Sequence, residues 1–128
     1  MKIERLSSGS PWEESFGYCR ALRSGDRIHI AGTTAVDSEG NTVAAGDVYG
    51  QSHFILTKIA GILSHFGAEM RDVIRTRIYL IDVVKWPEVG RAHAAFFAAH
   101  PPVATLIEVS QLIRPDLLVE IEAEASTG

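Results

Sequence analysis

Cysteine is nearly absent from this chain. Cys19 stands alone, so no disulfide can form within it, and a structural zinc site built on thiolates has too few ligands. Long hydrophobic runs are missing too: nothing approaches the roughly 20 apolar residues that span a bilayer. The opening MKIERLSSGSPWEES carries acidic residues and no apolar segment, unlike a signal peptide. These absences predict a cytoplasmic protein with no membrane partner. Positive charge is also short, with 12 Lys and Arg against 16 Asp and Glu and a formal net charge of -4. Binding to phosphate backbones needs a concentrated basic surface, so nucleic acid is not expected as the main partner.

Motifs for common chemistries are lacking. No Gly-x-Gly-x-x-Gly or P-loop spacing follows a strand, and no Gly-x-Ser-x-Gly elbow offers a serine nucleophile. The five histidines, His29, His53, His65, His93 and His100, form neither an HxH nor an HxxxH pair. No metal site and no cofactor are therefore expected. With 128 residues there is room for one core, so residues 1–128 read as a single domain.

What is present is strongest between Pro101 and Ala125. Its second half alternates Val119, Ile121 and Ala123 with Glu120, Glu122 and Glu124, the period of a strand with one buried and one polar face. Asp72 to Ile81, DVIRTRIYLI, reads as another strand. Ile74, Thr76, Ile78 and Leu80 are assigned to its inner face, and Val73, Arg75, Arg77 and Tyr79 to the other. Two arginines on one strand face call for carboxylate partners, which the C-terminal strand supplies.

The remaining elements follow from punctuation. Lys2–Leu6 reads as an edge strand, followed by a loop holding Trp12, Phe16 and Tyr18. Tyr18–Arg23 and Arg27–Gly32 form a hairpin about Ser24-Gly25-Asp26. A long helix runs from Asp47, its cap, to Gly67. Val48, Ile55, Leu56, Ile59, Ile62, Leu63 and Phe66 form its inner stripe, with Gln51, Lys58 and His65 on its solvent face. A second helix, Trp86–Ala99, turns Trp86, Val89, His93, Phe96 and Phe97 inward. Two closing strands complete an α+β fold, a mixed sheet with two helices on one face. The uncovered face carries His29, Arg75, Arg77, Glu120 and Glu122, a set suited to ion pairs or an interface. Of these, Glu120 is the economical choice for activating a water, although on the residues alone pairing with an arginine is the leading account, since carboxylates opposite arginines are most often just paired.

YCRALRSGDRIHIAG (Tyr18–Gly32), Gly46-Asp47 with Gln51, Gly67 followed by DVIRTRIYLID, the Phe96-Phe97 pair and the closing EVSQL…LVEIEAEA resemble the YjgF/RidA family over nearly the whole chain. The resemblance implies a chorismate-mutase-like protomer, a homotrimeric barrel, and ligand clefts between subunits for a small-molecule metabolite. The best-known branch deaminates enamines and imines such as 2-aminoacrylate, and some relatives have been described as ribonucleases. It also implies roles: Tyr18, Gly32, Thr33 and Thr105 toward substrate, with Trp12 nearby, and Glu120 as the water-positioning carboxylate. Deaminating members carry Pro-Ala-Arg-Ser where this chain has Pro102-Val103-Ala104-Thr105. Alanine cannot clamp a carboxylate as that arginine does. The Gly-x-Pro-Trp-Glu run (Gly9–Glu13) and Gly32-Thr33-Thr34 resemble a branch without it. The expected function is hydrolysis of an imine or enamine other than 2-aminoacrylate. The alternative is a metabolite-binding or regulatory trimer using the same cleft without turnover.

Overall fold

The C-terminal alternation organises the sheet. In the computed structural model, which describes residues 2–128, Val119, Ile121, Ala123 and Ala125 are buried while Glu120, Glu122 and Glu124 lie half-buried on the opposite face. The elements in chain order are β1 (Ile3–Leu6), α1 (Pro11–Phe16), β2 (Ala21–Ser24), β3 (Arg27–Thr33), α2 (Val48–His65), β4 (Val73–Leu80), α3 (Trp86–Phe97), β5 (Val103–Glu108) and β6 (Val119–Ser126). They build a six-stranded mixed sheet ordered β1-β2-β3-β6-β4-β5. β4 and β5 are parallel, joined through α3, and every other neighbouring pair is antiparallel. The last strand therefore does not finish the sheet at its margin. β6 inserts between β3 and β4, where His29 on one side and Arg75 and Arg77 on the other meet its carboxylates, and β5 becomes the edge.

Both long helices pack on one face. Val48, Ile55, Leu56, Ile59, Ile62, Leu63 and Phe66 join Val89, Ala92 and Phe97 in a core completed by the inner residues of β3, β4 and β6. Asp47 Oδ1 accepts from Gly50 N–H at 3.0 Å, capping α2. Gly67, at φ 75°, takes the left-handed position just past the helix end.

Several sequence assignments are corrected. Gln51 is fully buried rather than solvent-facing. Its Oε1 accepts from Leu118 N–H and its Nε2 donates to the Asp116 carbonyl, both at 2.9 Å. A polar side chain is tolerated there because it satisfies the backbone of the β5–β6 connector. Lys58 is half-buried and donates to the Val36 carbonyl at 3.0 Å; burial, and then the nearby Arg20 cation, push its amine below the ordinary lysine range.

Trp86 does not point inward but is 58% exposed, because it occupies the first position of α3, where the chain has only begun to turn toward the core. On β4 the order at one end is inverted: Val73 is buried and Ile74 is 40% exposed. A register irregularity against β6 between Val73 and Arg75 shifts the alternation by one residue. The first hairpin strand begins at Ala21, since Tyr18 N–H bonds the Glu13 carbonyl and ties that segment to α1.

α1 itself lies in what reads as loop. Ser10 caps it, Pro11 starts it, and buried Glu13 anchors it. Glu13 accepts from Ser7 Oγ at 3.0 Å, Ser8 N–H at 3.2 Å, and Ser8 Oγ. Burial alone would raise this carboxyl, but the serine hydrogen bonds outweigh it and hold it below its ordinary value.

His93 lies against the inner face, its Nε2 2.9 Å from Thr76 Oγ1, and burial lowers its basicity. A histidine depressed in the folded state binds its proton more readily when unfolded. Its stabilising contribution is therefore complete above the unfolded histidine pKa, about 6.5, and is lost as pH falls through that value toward the folded one. Urea unfolding should show this loss between neutral and mildly acidic pH, and His93→Gln should remove that component. An identical pH dependence in the variant would exclude His93 as its source.

Candidate active site

The polar face begins with the ion-pair ladder between β4 and β6. Arg77 Nη1 lies 3.1 Å from Glu122 Oε1 and 3.6 Å from Glu124 Oε2, and Arg75 Nε lies 3.8 Å from Glu124 Oε2. His29 Nδ1, from β3, is 3.6 Å from Glu124 Oε1. These groups stay partly wet, so their attraction is screened and contributes little stability. They flank a broad concavity of about 750 Å³ whose lining includes Tyr18, Cys19, His29, Arg77 and Glu122.

Glu120 is in none of these pairs. It sits in a smaller cleft of about 400 Å³ lined by Gly32, Tyr79, Val109, Gln111, Leu112, Glu120 and Glu122. Glu122 lines both cavities, so they share a wall. The Glu120 carboxylate lies directly over the Gly32 α-carbon. A β-carbon added at Gly32 would be 3.0 Å from Glu120 Cδ and closer still to Oε2, which is the physical reason this strand position carries glycine. Burial raises the Glu120 carboxyl above its ordinary value; the Arg20 cation opposes this and the Glu122 anion adds to it. The Tyr79 phenol is likewise pushed up, first by burial and then by Glu122, with which it hydrogen-bonds. It remains a protonated donor at neutral pH.

The other residues singled out in the sequence lie elsewhere. Trp12 packs under Arg114, whose guanidinium carbon is 5.4 Å from its ring centre, and lines neither cavity. Thr33 is fully buried, its hydroxyl donating to the Ala31 carbonyl at 2.8 Å. Ala104 and Thr105 lie on edge strand β5, in register with Thr76 and Arg77, and line neither cavity of their own chain. Tyr79 and Gln111 are the polar cleft residues that sequence reasoning passed over, beside apolar Val109 and Leu112. Tyr79 was visible as a polar-face residue of β4, whereas Gln111 lies in a connector without periodicity.

The arrangement has close counterparts. The Endoribonuclease L-PSP family model matches residues 12–127. An uncharacterised protein of Streptomyces coelicolor is 40% identical over 126 residues, covering 98% of this chain and 93% of its own length. A RutC family protein of Pyrococcus horikoshii is 32% identical, covering 84% of this chain and 85% of its own. The crystal structure of Rv2704 from Mycobacterium tuberculosis, described as a member of the YjgF/YER057c/UK114 family, superposes with a TM-score of 0.89. It is 41% identical and covers 98% of this chain and all (100%) of that one.

The chain belongs to the YjgF/RidA family. The mixed sheet with its helices on one face is this family's fold, and the register with β4 puts Ala104 and Thr105 of this YjgF/RidA member on a free sheet edge. Among the described residues, no group of three or more His, Cys, Asp or Glu side chains is placed to hold a metal ion, and no helix is long and apolar enough to cross a membrane.

Proposed function

We propose that this protein assembles as a homotrimer and hydrolyses a small imine or enamine in clefts between subunits, with Glu120 handling the attacking water. The observation that carries the reading is the Glu120 carboxylate itself, half-buried over Gly32 in a cleft with Tyr79 and Gln111. An enamine would first gain a proton at carbon to become the protonated imine. Water oxygen then bonds to the imine carbon while Glu120 accepts a water proton. Return of that proton to nitrogen makes it a leaving group: the added oxygen's electron pair forms C=O as the C–N bond breaks, and the hydroxyl proton passes to the departing ammonia, so the carbonyl compound and ammonium are released. A carboxyl raised above its ordinary value by burial suits both the taking and the giving.

The trimer reading is supported by the free edge of β5, where Val103 is 58% and Ile107 48% exposed. An apolar strand edge of this kind is ordinarily covered. Its neighbours would bring Thr105 toward a second chain's cleft, with Tyr18 and Gly32 as further substrate contacts. β5 carries no cation at any position from Val103 to Glu108, and among the described residues no cation lines the Glu120 cleft. A substrate held by a bidentate arginine–carboxylate contact, as 2-aminoacrylate would be, is therefore disfavoured, and an imine without that carboxylate fits better.

The test is ammonia release by the purified trimer from imines generated in place, comparing carboxylate-bearing with uncharged ones. Turnover with preference for the uncharged set is expected. Saturable binding without product would replace the enzyme reading with metabolite binding. A monomer in sedimentation would remove the inter-subunit cleft.

A further inference from the structure

Among the described residues, Arg20 is a cation next to the cleft that the ion-pair ladder does not use. Its backbone is fixed on both sides: its N–H donates to the Leu6 carbonyl at 2.9 Å, and its carbonyl accepts from Ala31 N–H at 3.0 Å. From that anchor the guanidinium lies 5.8 Å from the Tyr18 ring centre, and Nη2 donates to the Gly32 carbonyl at 2.6 Å. Gly32 is the residue whose α-carbon carries the Glu120 carboxylate, so cation and anion are held against the same residue. Arg20 Nε is buried with no hydrogen-bond partner among the described residues. Leaving such a donor unmet is unfavourable unless an anion or water serves it. The other arginines near aromatic rings are occupied elsewhere: Arg91 lies over Tyr49, and Arg114 lies over Trp12 and donates to the Gly40 carbonyl.

We propose that Arg20 is the positioning residue of the cleft, fixing the Gly32 peptide through its carbonyl and holding Glu120 beside it as an anion. This rests on reading Glu120 as the acting group, yet it concerns a coupling that exists without substrate. The charged and titratable groups around Glu120 are Arg20, Glu122 and Tyr79, and Glu122 is already paired with Arg77. Arg20 is thus the positive charge acting on Glu120, and it acts on Glu13 as well. Without it, burial and the Glu122 anion act unopposed, and the carboxylate takes up a proton at higher pH. Arg20 serves the cleft from behind Gly32 and does not line it, so it does not take the place of the arginine absent at position 104.

The test is a carbon-13 titration of the Glu120 carboxyl in the full chain, its resonance assigned with Glu120→Gln. Arg20→Gln should move the midpoint to higher pH by about one pH unit or more, the scale of a neighbouring opposite charge. Arg20→Lys should restore most of the difference. An unmoved midpoint in a folded Arg20→Gln trimer would overturn the proposal. Should Arg20→Gln not fold, the reciprocal measurement decides. The Arg20 Nε–H resonance of the wild-type protein should follow the Glu120 titration and lose that pH dependence in Glu120→Gln; a signal indifferent to Glu120 overturns the coupling. Absence of ammonia release in every protein would reject the enzyme reading and leave this result standing.

Discussion

Glu120→Gln should lower ammonia release by about 10²–10⁴-fold, the usual worth of a positioned general base or acid, with little change in KM. The amide matches the carboxylate in shape and can still hold a water by hydrogen bonding, so cleft geometry and assembly persist and some turnover remains. What it cannot do is accept the water proton, and that is the contribution removed. Glu120 suits this measurement because it belongs to none of the ion pairs on its face; Arg77, Arg75 and His29 all engage Glu122 or Glu124. Removing its charge therefore leaves the ladder intact. A wild-type rate in a correctly assembled Glu120→Gln protein would end the mechanism. In a protein that only binds its ligand, the same substitution would change affinity and nothing else.

The difference between Glu120 and its two neighbours was only partly legible in the sequence. The alternation Val119 to Ala125 required one buried and one polar face, and β6 has them. Arginines two residues apart on β4 required anions, and the register supplies Glu122 and Glu124. Alternation cannot say which carboxylate escapes pairing, because that depends on strand order. β6 lies between β3 and β4, so Glu120 ends up beside Gly32 and Tyr79 at the far end of the ladder.

Other positions escaped for local reasons. Val73 and Ile74 exchange faces at an irregularity that a strict period of two does not contain. Gln51 reads as solvent-facing on a helical wheel, yet it is buried because backbone groups from a connector more than sixty residues away need its amide. α1 was hidden because its anchor, Glu13, is a charged residue whose burial depends on two preceding serines. The first case turns on an irregular register and the other two on a buried polar group finding its partners, information that residue type and spacing do not carry.

Gly32→Ala should approach the loss expected of Glu120→Gln while leaving the protein folded. Gly32 is absent from the glycines held at positive φ, so alanine is compatible with its backbone and no conformational strain arises there. The new methyl would instead meet the end of a flexible side chain, the Glu120 carboxylate. The carboxylate moves aside, and unfolding free energy changes by no more than about 1 kcal/mol. Catalysis has less tolerance: a displacement of about 1 Å in a reacting group can cost on the order of 100-fold. The expected signature is thus a near-normal urea midpoint and a normal trimer, with ammonia release reduced by about 10–100-fold. If Gly32 served only to permit a tight strand, stability would fall and turnover per folded trimer would stay the same. If Glu120 did not act on the water, neither quantity would move much. The pairing of intact folding with lost turnover separates a glycine kept for the carboxylate above it from one kept for the chain.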